Sequence, residues 1–120
     1  MYKRQIALLL LCLGCRAETR EWNTEEKVWG AVDGALLLSD WATTHNMTHR
    51  YNEGYYEHNL LLGPHPTTAQ LNLYFLLVTP AIYLTADQVP EYRKEILEAI
   101  GAIELIVVGN NLRLGLHFQF

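Results

Sequence analysis

Four of the five histidines in this chain, His45, His49, His58 and His65, fall within a short stretch that also holds Asp40 and Glu57. His45 and His49 are spaced i, i+4, which on a helix puts both imidazoles on one face, as in paired metal ligands. Asp40 or Glu57 could complete a ligand set, so a metal-binding protein or metal-dependent enzyme is one reading. Two features weigh against it. The segment Thr43 to Tyr56 is hydrophilic and predicts that the helix frays near His45, which would separate the pair, and histidines in polar loops are ordinary. Nucleophilic catalysis has less support. Ser39 is the only serine and lacks the glycines of a nucleophile elbow. The chain therefore reads as a non-enzyme with no cofactor.

The same residues fit a structural role better. Asp40 and Thr44, near the end of a first helix, are placed to hydrogen-bond the following loop at Asn59, and Glu57 is placed to cap a second helix or pair with Arg50. That loop, Glu57 to Pro66, carries Gly63, Pro64, His65 and Pro66. The prolines forbid helix, and Gly63 admits a left-handed backbone. Polar groups near a membrane must find partners inside the protein. A knot of Asp40, Thr44, Glu57, Asn59, Gly63, His65 and Pro66 would meet that need.

Three helices would hold this knot. The first starts with Thr24 as cap and Glu25 and Glu26 in its first turn, Lys27 standing where a capping box wants Glu or Gln. It runs about 20 residues, with Asp33 and Asp40 on one face and Gly30-x-x-x-Gly34 allowing close helix contact. The second starts at Thr67 or Thr68. From Ala69 to Ala86 it carries no charge over 18 residues, about 27 Å of helix, which approaches the thickness of a bilayer core. Pro80 should kink it. A membrane segment is favoured over a buried core helix, which Gln70 and Asn72 would suit. Pro90 suits the first position of the third helix, which pairs Lys94 with Glu98 and stops at Gly109-Asn110-Asn111. From Leu112 to Phe120 apolar and polar residues alternate, which predicts an extended tail or edge strand.

Met1 to Ala17 reads as an export signal: Lys3 and Arg4, then an apolar core from Ile6 to Leu13, then small residues. Such a core spans about 12 Å, too short to cross a bilayer. Cleavage before Glu18 competes with a lipobox reading of Leu13-Gly14-Cys15, which would lipidate Cys15. Cys12-x-x-Cys15 has a redox spacing but no strand–helix context. Residues 18–120 then form one domain of all-α class.

Composition narrows the function. At 120 residues, 50% hydrophobic and 18% charged, the chain leans towards a membrane, although its mean hydropathy is close to zero. A net charge of −4, with no basic run beyond Lys3-Arg4 and Arg93-Lys94, disfavours nucleic-acid binding.

At Asp40-x-x-Thr43-Thr44, Glu57-x-Asn59 and Gly63-x-His65-Pro66 the chain resembles a group of small bacterial and phage membrane-associated proteins of uncharacterised role. The likeness covers roughly residues 36 to 120. It departs at Leu60, where the pattern has proline. It implies a loop between an acidic first helix and two apolar helices, and no activity. The expected protein is non-catalytic and exported, in the inner membrane or the periplasm-facing envelope. It would act by helix packing with a second copy of itself or with an envelope partner.

Overall fold

A computed structural model describes residues 20–120 of the chain. The expected export signal, with Cys12, Cys15 and the proposed boundary at Ala17, lies outside the described residues. The described part is all-helical, with three helices and no strand: α1 (Thr24–Thr48), α2 (Thr68–Gln88) and α3 (Arg93–Arg113). A short 3-10 turn, Tyr51–Glu53, follows α1, and a strap of irregular chain leads from it to α2.

α1 is capped by Asn23, not Thr24. The Asn23 side chain accepts from the Glu26 N–H at 2.8 Å, and Glu26 accepts from the Asn23 N–H at 3.1 Å. The capping box slides one residue upstream because Glu26 can accept the return bond, whereas Lys27 cannot. The helix also does not fray at Thr43. Thr43 and Thr48 turn their hydroxyls back onto the carbonyls of Ser39 and His45, at 2.9 and 2.7 Å. The C-terminal tail supplies tertiary partners to the same turns, its Gln119 N–H donating to the Ala42 carbonyl at 3.1 Å.

α2 is capped by Thr67 in a capping box with Gln70 (3.1 and 2.9 Å), and Pro80 lies within the helix. Thr67→Ala is expected to destabilise the fold by about 1 kcal/mol, read from chemical denaturation; Thr67→Asn should restore most of it. α3 begins three residues later than Pro90 suggests. Residues 90–92 form a turn closed by the Tyr92 N–H on the Val89 carbonyl at 3.1 Å. That reversal lets the Arg93 side chain reach back to the end of α2. Nor do Gly109, Asn110 and Asn111 stop α3. Asn111 donates instead to the Thr43 hydroxyl of α1 at 2.9 Å, and Gly115, at φ +92°, provides the left-handed residue after the helix. The tail runs beside α1 with no strand pairing. Its alternation is explained in part by Leu116, which is buried, and by Phe120, which packs on Trp41.

α1 and α3 form the most extensive contact in the bundle. Their approach depends on Gly101, where a Cβ would lie 2.7 Å from Asp33 Oδ1 and 3.0 Å from the Trp29 ring. The glycine pair of α1 receives Tyr83 of α2, whose hydroxyl donates to the Gly30 carbonyl and stands 3.0 Å from a Cβ at Gly34. Of the 21 residues of α2, only Leu71 and Ala86 are buried.

The interior is polar to an unusual degree. Glu26, Asp33, Thr43, Thr44, Asn46 and Arg93 are all buried. Meanwhile Leu73, Leu76, Leu77 and Leu84 of α2 are exposed, and Leu60 and Leu61 of the strap are 97% and 83% exposed.

Candidate functional site

The two polar clusters inside the bundle are of opposite character. At the end where the helices α1 and α3 start, Glu26 sits between two arginines. Arg20 binds one of its oxygens, and Arg93 Nη1 lies 3.2 Å from the other. Arg93 is wholly buried and uses its whole fork. It donates to the carbonyls of Ala86 (3.0 Å), Asp87 (3.0 Å) and Arg20 (2.9 Å), and its guanidinium lies 4.9 Å from the Trp22 ring centre. The hydrogen bond from Arg20, aided by those from Asn23 and Arg93, outweighs burial and holds the Glu26 carboxyl down at about 2.

Further along the α1–α3 interface the carboxyls have no such partners. Asp40 of α1 and Glu104 of α3 face each other within hydrogen-bonding reach, and Thr44 donates to Asp40 at 3.1 Å. Two turns earlier, Asp33 is fully buried, with neither carboxylate oxygen hydrogen-bonded; one oxygen of Glu104 is buried in the same condition. Burial, the hydrogen bond with Asp40 and the charges of Asp40 and Asp33 push the Glu104 carboxyl up to about 9. Burial, reinforced by the charge of Glu57, also raises Asp40, against its hydrogen bonds with Glu104 and Thr44. Burial alone raises Asp33 to about 6. A hydrogen bond between two carboxyls needs one proton, which belongs to the pair as a whole.

This pair opens onto a cavity of about 630 Å³ between α1, the strap, α2 and α3. Asp40, Thr44, Glu57 and Asn59 line it together, with Glu104, Asn110 and Asn111 from α3 and Tyr74 and Phe75 from α2. The roles within it differ from those the sequence suggests. Asn59 does not bond Asp40 or Thr44; it organises its own turn, its side-chain oxygen accepting from Leu61 N–H at 2.9 Å and its carbonyl from Leu62 and Gly63. Glu57 neither caps α2 nor pairs with Arg50. It accepts from the Asn59 N–H at 3.0 Å, while its own N–H donates to the Pro64 carbonyl at 2.8 Å. Arg50 pairs with Glu53 at 2.7 Å. The short strap explains this, because its backbone donors lie nearer than the helix ends do.

Gly63, His65 and Pro66 stand apart from the cavity. Gly63 takes φ +76° and turns the strap, the His65 ring packs on Tyr51 at 4.6 Å, and the Pro66 carbonyl accepts from the Tyr51 hydroxyl. The other histidines also point to separate neighbours. Because α1 continues through His45 to Thr48 and is capped by His49, the two imidazoles do share a face, with ring centres 5.1 Å apart. His45 also stacks on Trp41 and donates from Nδ1 to the Gln119 carbonyl at 2.9 Å. His58 packs on Tyr56. Among the described residues no three His, Cys, Asp or Glu side chains converge to hold a metal ion.

Glu104 and the Glu26–Arg93 pair are the residues that sequence reasoning missed. Glu104 had a signal, since it interrupts the apolar run from Ile96 to Val108 as Asp40 interrupts the apolar part of α1. Arg93 had none, because a basic residue near a helix start looks like surface. The chain matches no family model, no curated protein and no solved structure.

Proposed function

We propose that the protein is a small, non-catalytic, membrane-associated envelope protein that acts through helix packing, with α2 as the segment that enters the bilayer. One observation carries the reading: α2 is long and apolar enough to cross a membrane, and its Leu73, Leu76, Leu77 and Leu84 face outward while Glu26, Asp33 and Arg93 lie buried inside the bundle. A soluble bundle has the opposite arrangement. At 21 residues the helix is about 31 Å long, close to a bilayer core of about 30 Å. Leu60 and Leu61 extend the apolar surface just before it. Each leucine buried in lipid contributes on the order of 1.5–3 kcal/mol.

The resemblance to small bacterial and phage membrane-associated proteins supports the same reading, as does the sequence pattern of Met1 to Ala17, which reads as an export signal. A second copy of the chain or a larger envelope protein is the partner class that helix packing implies.

Alkaline carbonate washing of membranes tests the association. The wild-type chain is expected to stay in the membrane pellet. Leu73→Gln/Leu76→Gln/Leu77→Gln/Leu84→Gln should shift it to the supernatant, and release of the wild type would refute the proposal.

A further inference from the structure

We propose that Asp40 and Glu104, with Asp33 beside them, form a proton-operated latch between α1 and α3: one proton shared by the facing carboxyls holds the two helices together, and its loss drives them apart. The inference concerns the α1–α3 pair and does not depend on where α2 resides.

The geometry carries it in three steps. First, Asp40 and Glu104 come from different helices and line the same cavity, where each shifts the proton affinity of the other. Fully ionised, the pair would have four acceptor oxygens and no donor, and like charges in a poorly solvated site repel. Second, Asp33 is completely buried with both oxygens unpartnered. It is aimed at α3, its Oδ1 lying 2.7 Å from the position a Cβ would take at Gly101, one turn before Glu104. An unpaired buried carboxylate destabilises whatever closes over it, so a second negative charge on Glu104 cannot be accommodated without movement. Third, the cavity of about 630 Å³ beside Glu104 gives the proton a route to solvent.

The surroundings supply no substitute cation. From α1 the pair faces Asp33, Asp40 and the Thr44 hydroxyl; from α3, Glu104 and the amides of Asn110 and Asn111. The strap contributes Glu57 and His58, and α2 contributes Tyr74 at the cavity and Tyr83 near Asp33. Among the described residues no lysine or arginine forms an ion pair with Asp33, Asp40 or Glu104. The elevated proton affinity of Glu104 agrees with this arrangement. The step is a simple acid dissociation: the Glu104 O–H bond breaks, the proton passes to water or hydroxide, and the carboxylate keeps the electron pair.

Infrared spectroscopy of the full chain in lipid vesicles, titrated from pH 7.5 to pH 10, tests the latch, with acrylamide quenching of tryptophan run in parallel. Trp29 lies against Gly101 at the α1–α3 contact and so reports their separation. The wild type is expected to show a protonated-carboxyl band at pH 7.5 that disappears reversibly as quenching rises. In Glu104→Gln the band should be gone and quenching should stay flat, because the amide still donates to Asp40. Asp33→Asn, which removes a neighbouring negative charge, should move the wild-type midpoint to lower pH. Absence of the band in the wild type at pH 7.5 would overturn the proposal, as would quenching of Glu104→Gln that rises as in the wild type. Should Glu104→Gln fail to fold, the Asp33→Asn midpoint decides, and an unmoved midpoint would also overturn it.

Discussion

Arg93→Ala is expected to be among the most damaging single substitutions in this chain, with a loss of about 3–5 kcal/mol. Few side chains tie so many elements together. Arg93 joins the start of α3 to the carbonyls at the end of α2, to the Arg20 carbonyl and to Glu26 of α1. Truncation leaves Glu26 buried with only the half-exposed Arg20 as cation and leaves several carbonyls without a donor. Lysine would restore the charge without the planar fork, so Arg93→Lys should recover only part of the loss. Chemical denaturation at neutral pH measures both. A loss below about 1 kcal/mol for the alanine variant would show that the network does not hold the helices together.

Asp33→Asn is expected to act in the opposite direction and to depend on pH. The folded protein raises the Asp33 carboxyl to about 6 from an ordinary 3.8. A group so raised contributes its full stability below the unfolded value and loses it as pH rises through the folded one. Above about pH 6 the buried charge therefore costs about 3 kcal/mol. The asparagine variant escapes that cost but still buries an amide without a partner. Its net gain should be about 1–3 kcal/mol at pH 8 and close to zero near pH 3.5. Equal effects at both pH values would contradict burial of the charge as the cause. Glu26 sets the acid side of the profile. Its carboxyl is held at about 2, so the stability it contributes is complete above about pH 4.5 and is lost as pH falls towards 2.

Much of this architecture is legible in the residues. The three helices follow from apolar periodicity, from Thr67 before α2 and from the glycines and prolines of the strap, because these signals act locally. Where the reading slips, a distant partner is responsible. Thr43 to Thr48 look like a fraying end, yet the tail and Asn111 hold those turns in helix. Gly109 to Asn111 look like a stop, yet Asn111 is used for a bond across to Thr43. Lys94 illustrates the mixture: it approaches Glu98 at 3.7 Å as its spacing suggests, and also Glu25 of α1 at 3.0 Å, which no spacing within one helix predicts. The polar knot follows the same logic. Asp40, Thr44, Glu57 and Asn59 meet at one cavity, but the partner of Asp40 is Glu104, more than sixty residues on. Pairing between helices depends on their rotation about their own axes, which a single sequence does not encode in any short motif.

The central claim is that α2 faces lipid, and a nitroxide label at Leu76 tests it most directly. With Cys12 and Cys15 changed to serine, Leu76→Cys is labelled in the full chain and reconstituted into vesicles, with Glu98→Cys as reference. The account predicts that the label at position 76 relaxes readily with dissolved oxygen and hardly at all with a water-soluble nickel chelate, the reverse of position 98. A label at position 76 that meets the nickel chelate as freely as the one at position 98 would contradict it.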